Sequence, residues 1–156
     1  MPRIDHASRT INAPQEAVFD AFLTEDAVAQ WLPPKGAKAS FEAFDPRPGG
    51  DFKMTLVFET GGKAKRKTTP DSDTVNGEFL SIDYPNSIVQ QFAFQSDDRG
   101  FAGVMTMSWL FSKSGGGTRV EVSASDVPKG ISPGDHQRGM NSSLENLAAY
   151  VESKHA

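Results

Sequence analysis

Polar side chains inside otherwise apolar runs are the residues of this sequence that could do chemistry. On a predicted strand, Gln90 alternates with the apolar residues Ile88, Phe92 and Phe94. Burying an amide without a partner is costly, so Gln90 should bond either the backbone or a ligand. His136 begins an apolar helical repeat, where its imidazole could donate a hydrogen bond to a ligand or accept one. Gln90 and His136 are therefore candidate ligand-orienting groups, and satisfaction by neighbouring protein groups is the alternative for each.

Catalytic motifs are absent from the sequence. It contains no phosphate-binding glycine motif, no nucleophile elbow and no HExxH or comparable metal spacing. The lack of cysteine excludes disulfides, thiol nucleophiles and cysteine-ligated metals. A general acid or base could still be formed in a cavity from His136, Asp135 or Glu145. We expect no metal and no other cofactor, and an enzyme stays open as an alternative to a binding protein.

Arg47, in the segment DPRPGG, is a candidate anchor for an anion, because a guanidinium binds carboxylates in a bidentate fork. The alternative is a salt bridge to Asp45 that fixes the turn into the next strand. Gly49 and Gly50 would supply unusual backbone angles for that turn. Since these glycines already indicate a turn, we favour the salt bridge.

Composition and charge exclude several classes of partner. The formal net charge of −4 gives no general attraction to the phosphates of nucleic acids. A basic cluster (Lys63, Lys65, Arg66 and Lys67) falls in a predicted hairpin loop, where solvated charges are expected. No apolar run approaches the roughly 20 residues of a membrane span. The first residues lack a secretory signal, so we expect a cytoplasmic protein.

Strands and helices must position these polar groups, and the chain begins with a strand at about 3–12. In NAPQEAVFDAFL, Pro14 is predicted as the first residue of a short amphipathic helix. Thr24 is predicted to cap a second short helix. That helix should end near Trp31, because the two prolines that follow disfavour helical geometry.

The middle of the chain, from 37 to 126, alternates apolar and polar residues with period two. This pattern is typical of an antiparallel sheet with one covered face. The segments DFKMTLVFE, FAGVMTMSWLF and TRVEVSAS show it best, and weaker strands fit 37–45, 74–83 and 87–96.

The last element is a long helix with Ser132 as predicted N-cap and an apolar stripe that must cover the sheet. We therefore expect one α+β domain over 1–156, in which a curved antiparallel sheet of about six to seven strands grips a long C-terminal helix.

Four segments resemble, in order, landmarks of the SRPBCC or START-like superfamily: INAPQEAVFDAFLTEDAVAQWLPPKG, FDPRPGGDFKM, VNGEFLSIDYPNSIVQQF and GMNSSLENLAAYVE. Within it they are similar to the branch named for activators of the ninety-kilodalton heat-shock protein ATPase. The resemblance implies a helix-grip fold with a cavity between the long helix and the concave face of the sheet. In relatives such a cavity often holds lipids, polyketides, flavonoids or other apolar small molecules. A eukaryotic co-chaperone joins a similar domain to another, and no second domain is expected here.

The period-two and helical patterns select the residues that would line such a cavity. The candidates are Phe52, Met54, Phe58, Gln90, Phe92, Phe94, Met105, Met107 and Trp109 from the sheet, and His136, Met140 and Leu144 from the long helix. Trp31 would close or rim one end of the groove, or anchor the second helix to the core. Methionine and aromatic residues suit an adaptable pocket and a plain core alike, and the resemblance favours a pocket.

The expected partner is therefore a hydrophobic small molecule, bound by a carrier or sensor. One alternative is an enzyme of the polyketide-cyclase or hydrolase type, which requires a polar pair inside the cavity. Another is a co-chaperone-like module that modulates a heat-shock ATPase through an exposed patch. The sequence leaves a homodimer open.

Overall fold

A computed structural model describes residues 3–33, 37–58 and 72–154 and shows a curved antiparallel sheet of seven strands. The strands are β1 (Ile4–Ile11), β2 (Ala37–Phe44), β3 (Asp51–Phe58), β4 (Ser72–Asp83), β5 (Ser87–Phe94), β6 (Met105–Ser114) and β7 (Gly117–Ser125). Their order across the sheet is β1-β7-β6-β5-β4-β3-β2. The strands from β2 to β7 therefore follow one another as hairpins, and β1 pairs with β7 at one edge. The basic cluster near residue 65 lies outside the described residues.

In the described part of the chain, three α-helices accompany the sheet. The short helices α1 (Gln15–Asp20) and α2 (Glu25–Trp31) follow β1, and the long helix α3 (Pro133–Lys154) follows β7. A short 3-10 turn (Arg99–Phe101) precedes β6. This arrangement confirms the predicted α+β fold, with two short helices after the first strand and a long helix at the end.

Capping residues define where the helices begin. Thr24 Oγ1 accepts a hydrogen bond from the backbone N–H of Ala27 at 3.2 Å, and Ser132 Oγ accepts one from Asp135 at 3.1 Å. Pro14 differs from the prediction, because it is the N-cap of α1 and not its first helical residue. It keeps an extended backbone with ψ of 150°, and its carbonyl oxygen accepts the N–H of Val18.

One face of the sheet, termed the inner face, carries the core. Its buried residues include Ala7, Ile11, Phe52, Met54, Phe79, Ile88, Phe92, Met105, Trp109, Phe111, Val120, Val122 and Ala124. The buried stripe of α3 consists of Met140, Leu144, Leu147, Ala148 and Val151, which confirms the predicted apolar face of that helix. The helix packs most closely against β1 and α2. Within the described ranges, no helix is long and apolar enough to cross a membrane.

The turn before β3 has the salt bridge that we favoured from sequence. Arg47 Nε donates to Asp45 Oδ2 at 2.8 Å, and Gly49 has a φ of +84°, in the left-handed region. The turn is fixed to β4, because Gly49 N–H donates to the carbonyl oxygen of Phe79 and Phe79 N–H donates to that of Gly50. The side chain of Arg47 therefore helps to stabilise this turn through its salt bridge to Asp45.

Gly50→Ala should lower the free energy of unfolding by about 1 to 3 kcal/mol, the range typical of overpacking. A Cβ atom at position 50 would overlap the backbone carbonyl oxygen of Asp45. Gly116→Ala is the matched control, because no atom lies within 4 Å of a Cβ atom there. Urea unfolding of both variants gives the comparison, and equal midpoints would show that the turn yields without cost.

Candidate functional site

A row of residues directly opposite one another crosses the inner face. Asp5 of β1 pairs with Ala124 of β7, Ala124 pairs with Met107 of β6, and Met107 pairs with Gln90 of β5. Gln90 in turn pairs with Phe79 of β4. Residues opposite one another in a sheet point to the same side, so two polar groups, Asp5 and Gln90, share an otherwise apolar row.

Gln90 is 7% exposed and makes one of the hydrogen bonds that its amide can form. Trp109 Nε1 donates to Gln90 Oε1 at 3.0 Å. An indole N–H can only donate, so this bond fixes which end of the amide is oxygen. Nε2 of Gln90 has no hydrogen-bond partner among the described residues, yet every fully buried side-chain nitrogen and oxygen there has one. Nε2 therefore borders space that solvent can reach.

Trp31 lies beside the same network. Its Nε1 donates to the carbonyl oxygen of Ala21 at 2.8 Å, and its side chain is buried. Its ring centroid lies 4.6 Å from that of Phe22 and 5.9 Å from that of Trp109. The anchoring role predicted for Trp31 is thus present, and the indole connects the end of α2 to the inner face.

Phenylalanine side chains cover the inner face toward β2. The rings of Phe41, Phe44, Phe52, Phe79 and Phe92 form a chain of edge-on and tilted contacts, with centroids 5.3 to 6.0 Å apart. Phe41 and Phe44 are half-buried at the edge strand. This phenylalanine cluster offers flat apolar surfaces with edges and faces of opposite partial charge.

A charged cluster joins β1 to the start of α3. Asp5 accepts two hydrogen bonds from Arg3, from Nε at 3.0 Å and from Nη2 at 2.8 Å. His136 Nδ1 lies 2.7 Å from Asp5 Oδ2. The side chains of Asp5 and His136 are 8% and 14% exposed, so the carboxylate is held by two partners in a mostly dry place.

The pKa of Asp5 lies below its ordinary value. The hydrogen bond from Arg3 is the largest cause, burial opposes it, and the hydrogen bond with His136 lowers the pKa further. Asp5 is therefore an anion near neutral pH, and an anionic carboxylate can only accept hydrogen bonds. The proton between His136 and Asp5 consequently belongs to Nδ1 of the imidazole.

The predicted cavity residues divide by burial. Trp31, Phe52, Met54, Gln90, Phe92, Met105, Trp109, Met140 and Leu144 are buried, whereas Phe58, Phe94, Met107 and His136 are half-buried. The structure brings Gln90, Met107 and Trp109 together on adjacent strands and places His136 beside Asp5. Asp135 and Glu145, the other predicted acid or base candidates, are exposed on α3.

Asp5 and Arg3 are absent from the residues selected by sequence. A signal existed, because Asp5 alternates with Ala7 on a short strand and so falls on the buried face. A buried carboxylate needs a partner, and its pairing with Arg3 two residues away agrees with the same alternation.

Two open surface grooves lie elsewhere. A groove of about 440 Å³ between α1, α2 and the end of α3 is lined by Pro14, Glu16, Ala17, Asp20, Ala21, Thr24, Ala27, Tyr150, Val151 and Lys154. A groove of about 400 Å³ is lined by Gln30, Pro33, Asn146, Ala149, Tyr150 and Ser153. None of the predicted cavity residues lines either groove, and the cavity between the sheet and α3 stays a prediction. In the described part of the chain, no three histidine, aspartate or glutamate side chains converge as a metal site would require.

Solved structures of bacterial proteins share this fold. A crystal structure of a Chromobacterium violaceum protein is 29% identical, covers 97% of this chain and 99% of its own, and has a TM-score of 0.85. A solution structure of a Staphylococcus epidermidis protein is 23% identical over 99% and 92% of the two chains, with a TM-score of 0.75. A solution structure of an AHSA1-like protein from Aeromonas hydrophila is 22% identical over 98% and 94%, with a TM-score of 0.72.

The family comparison agrees with these structures and covers most of the chain. Residues 12–152 match the family described as "Activator of Hsp90 ATPase homolog 1-like protein". No match is found among curated proteins. The matched range includes α1, α2, the six strands from β2 to β7 and nearly all of α3. The chain therefore belongs to the family of activator of Hsp90 ATPase homolog 1-like proteins, with the helix-grip fold of the SRPBCC superfamily.

Proposed function

We propose that this protein binds an apolar small molecule between the inner face of the sheet and α3, as a carrier or sensor. The observation that carries the proposal is the amide of Gln90. It lies on an apolar face at 7% exposure, and its Nε2 borders accessible space without a partner among the described residues. A polar atom placed in this way orients a ligand that is otherwise held by apolar contacts.

The surroundings of Gln90 indicate what such a ligand would look like. Met105, Met107 and the phenylalanine cluster provide adaptable and flat apolar surfaces. Gln90 Nε2 is a donor and favours a carbonyl or ether oxygen on the ligand. Trp109 holds the amide in this orientation, so the donor is set before the ligand arrives. A flat, largely apolar molecule with an acceptor oxygen fits these groups.

Native mass spectrometry of freshly purified protein tests the proposal, followed by extraction of whatever co-purifies. We expect a bound apolar molecule of defined mass on the wild-type chain. Gln90→Met should carry at least threefold less of it, because a net hydrogen bond is lost on the ligand side. Gln91→Met is the matched control, since Gln91 is the next residue on β5 and faces the other side of the sheet.

Two results would count against the proposal: a wild-type chain without any bound molecule, and equal occupancy in the Gln90 and Gln91 variants. Gln90→Met also removes the acceptor of Trp109, so its thermal midpoint must be measured alongside. A comparison at a temperature where both variants are folded separates lost binding from lost stability.

A second candidate function comes from the family description, which names activators of the Hsp90 ATPase. In that case the chain would act by contact with a chaperone, and a small-molecule cavity would be unnecessary. The ATPase rate of a purified bacterial Hsp90, measured with increasing amounts of this chain, distinguishes the two. A rate that rises to a plateau supports the second candidate, and an unchanged rate removes it.

A further inference from the structure

We infer that His136 is a hydrogen-bond acceptor for a hydroxyl group of the ligand, held in that role by Asp5 and Arg3. The inference rests on the proposed function and names the ligand class further: an aromatic or enolic alcohol whose O–H is donated to His136 Nε2. His136 would contact the ligand, whereas Asp5 and Arg3 are positioning residues that act through the imidazole.

The first step concerns the proton on the imidazole. Asp5 receives two hydrogen bonds from Arg3 and is thereby held as an acceptor for His136 Nδ1 at 2.7 Å. In a neutral imidazole one nitrogen carries hydrogen and the other carries a lone pair. When the imidazole is neutral and its Nδ1–H is engaged by Asp5, the lone pair lies on Nε2, as in metal-free carboxylate–histidine pairs of hydrolases.

The second step concerns where Nε2 lies. His136 has a 14% exposed side chain, and Nε2 makes no hydrogen bond within the described part of the chain. Every fully buried side-chain nitrogen and oxygen of those residues has a partner, so Nε2 borders accessible space. The structure thus contains an oriented acceptor whose lone pair is open to an incoming group.

The third step relates His136 to Gln90. Asp5, which contacts the imidazole of His136 at 2.7 Å, and Gln90 are three strands apart along one row, which corresponds to about 14 Å between backbones. Ala124 and Met107 lie between them, one small and one half-buried and adaptable. The row therefore has an acceptor at one end, a donor at the other and an apolar floor. A molecule of two fused rings or more could span it.

A pair of probes tests the acceptor directly. In 2-fluoronaphthalene, fluorine replaces the hydroxyl of 2-naphthol at similar size and cannot donate. We expect wild-type protein to bind 2-naphthol about fivefold more tightly, the ratio that one net hydrogen bond gives. His136→Phe keeps a ring without an acceptor and should bind both probes equally. His6→Phe, the same change at an exposed residue of β1, should keep the fivefold preference.

The positioning role of Asp5 needs a readout that folding alone would not move. Nitrogen-15 chemical shifts of the His136 ring, recorded at alkaline pH, report which nitrogen carries the proton. We expect protonated Nδ1 in the wild type and a mixture of both tautomers in Asp5→Asn, since an amide can donate as well as accept. The preference for 2-naphthol should fall together with the Nδ1–H tautomer.

The outcomes separate the inference from the proposed function. Equal binding of both probes to the wild type, or protonated Nε2 in its imidazole, overturns the inference and leaves an apolar pocket standing. Failure of both probes to bind overturns the inference of an aromatic-alcohol ligand, and the pocket itself is then decided by native mass spectrometry. A preference that disappears in His136→Phe, weakens in Asp5→Asn and persists in His6→Phe establishes the acceptor.

Discussion

Trp31→Ala should lower the free energy of unfolding by about 3 to 5 kcal/mol, the range for removing a large buried aromatic side chain. Trp31 is 1% exposed and packs against Phe22 and Trp109. The space it leaves cannot close easily, because the backbone on both sides belongs to α2 and to the sheet. Loss of the indole also leaves the carbonyl oxygen of Ala21 without its donor.

Chemical denaturation in urea measures this loss, and Leu110→Ala is the control. Leu110 lies on β6 like Trp109 but is 49% exposed on the opposite face, so its truncation should change stability by less than about 0.5 kcal/mol. A Trp31→Ala loss below about 1 kcal/mol would mean that α2 is not anchored through the indole. Trp31→Phe should lose less stability than Trp31→Ala and more than Leu110→Ala, because it keeps ring contacts and loses the N–H donor.

Much of the fold could be predicted because its signals are local. The N-cap at Thr24 and the prolines after Trp31 define α2 within a few residues of chain. The strands follow from alternation, and the buried stripe of α3 follows from helical spacing. Each of these patterns is a direct consequence of backbone geometry, so it can be found without knowing what lies across the fold.

The candidate site could be predicted only in part, because its contacts depend on register. Alternation places Gln90 on the apolar face, but its partner Trp109 is set by the pairing of β5 with β6. His136 and Asp5 are 131 residues apart, and no local pattern connects them. The existence of a cavity is harder to predict from the sequence, because the same side chains fill a core or line a pocket. The volume of a cavity is decided by three-dimensional packing.

The residues that stabilise the fold around α2 and the residue proposed to contact a ligand form one connected network. Trp31 is bonded to the backbone after α1 and touches Trp109, which in turn fixes the amide of Gln90. A ligand that contacts Gln90 would therefore be two contacts away from Trp31. The chain has two tryptophans, so Trp109→Phe would leave Trp31 as the sole indole fluorophore for following such a ligand.

Asp5→Asn should lower the free energy of unfolding by about 2 to 3 kcal/mol at neutral pH, since three hydrogen bonds to a charged carboxylate are weakened together. The stability lost in Asp5→Asn should become smaller as the pH falls. The pKa of Asp5 is lowered in the folded state, so the unfolded chain takes up a proton first as the pH falls. The contribution is complete above the ordinary carboxyl pKa of about 4 and disappears as the pH falls through the lower folded value.

Urea unfolding at pH 7, 5, 4 and 3 should therefore show the wild type and Asp5→Asn converging in acid. Glu121→Gln is the matched control, because Arg119 Nε donates to Glu121 at 2.8 Å in the same two-residue spacing and also lowers its pKa. That pair is exposed to solvent, which screens it, so Glu121→Gln should leave stability nearly unchanged at every pH. The two pairs share their chemistry and differ in burial and in the bond to His136. A difference for Asp5→Asn that stays constant down to pH 3 would contradict a charged Asp5, and with it the orientation of the His136 ring.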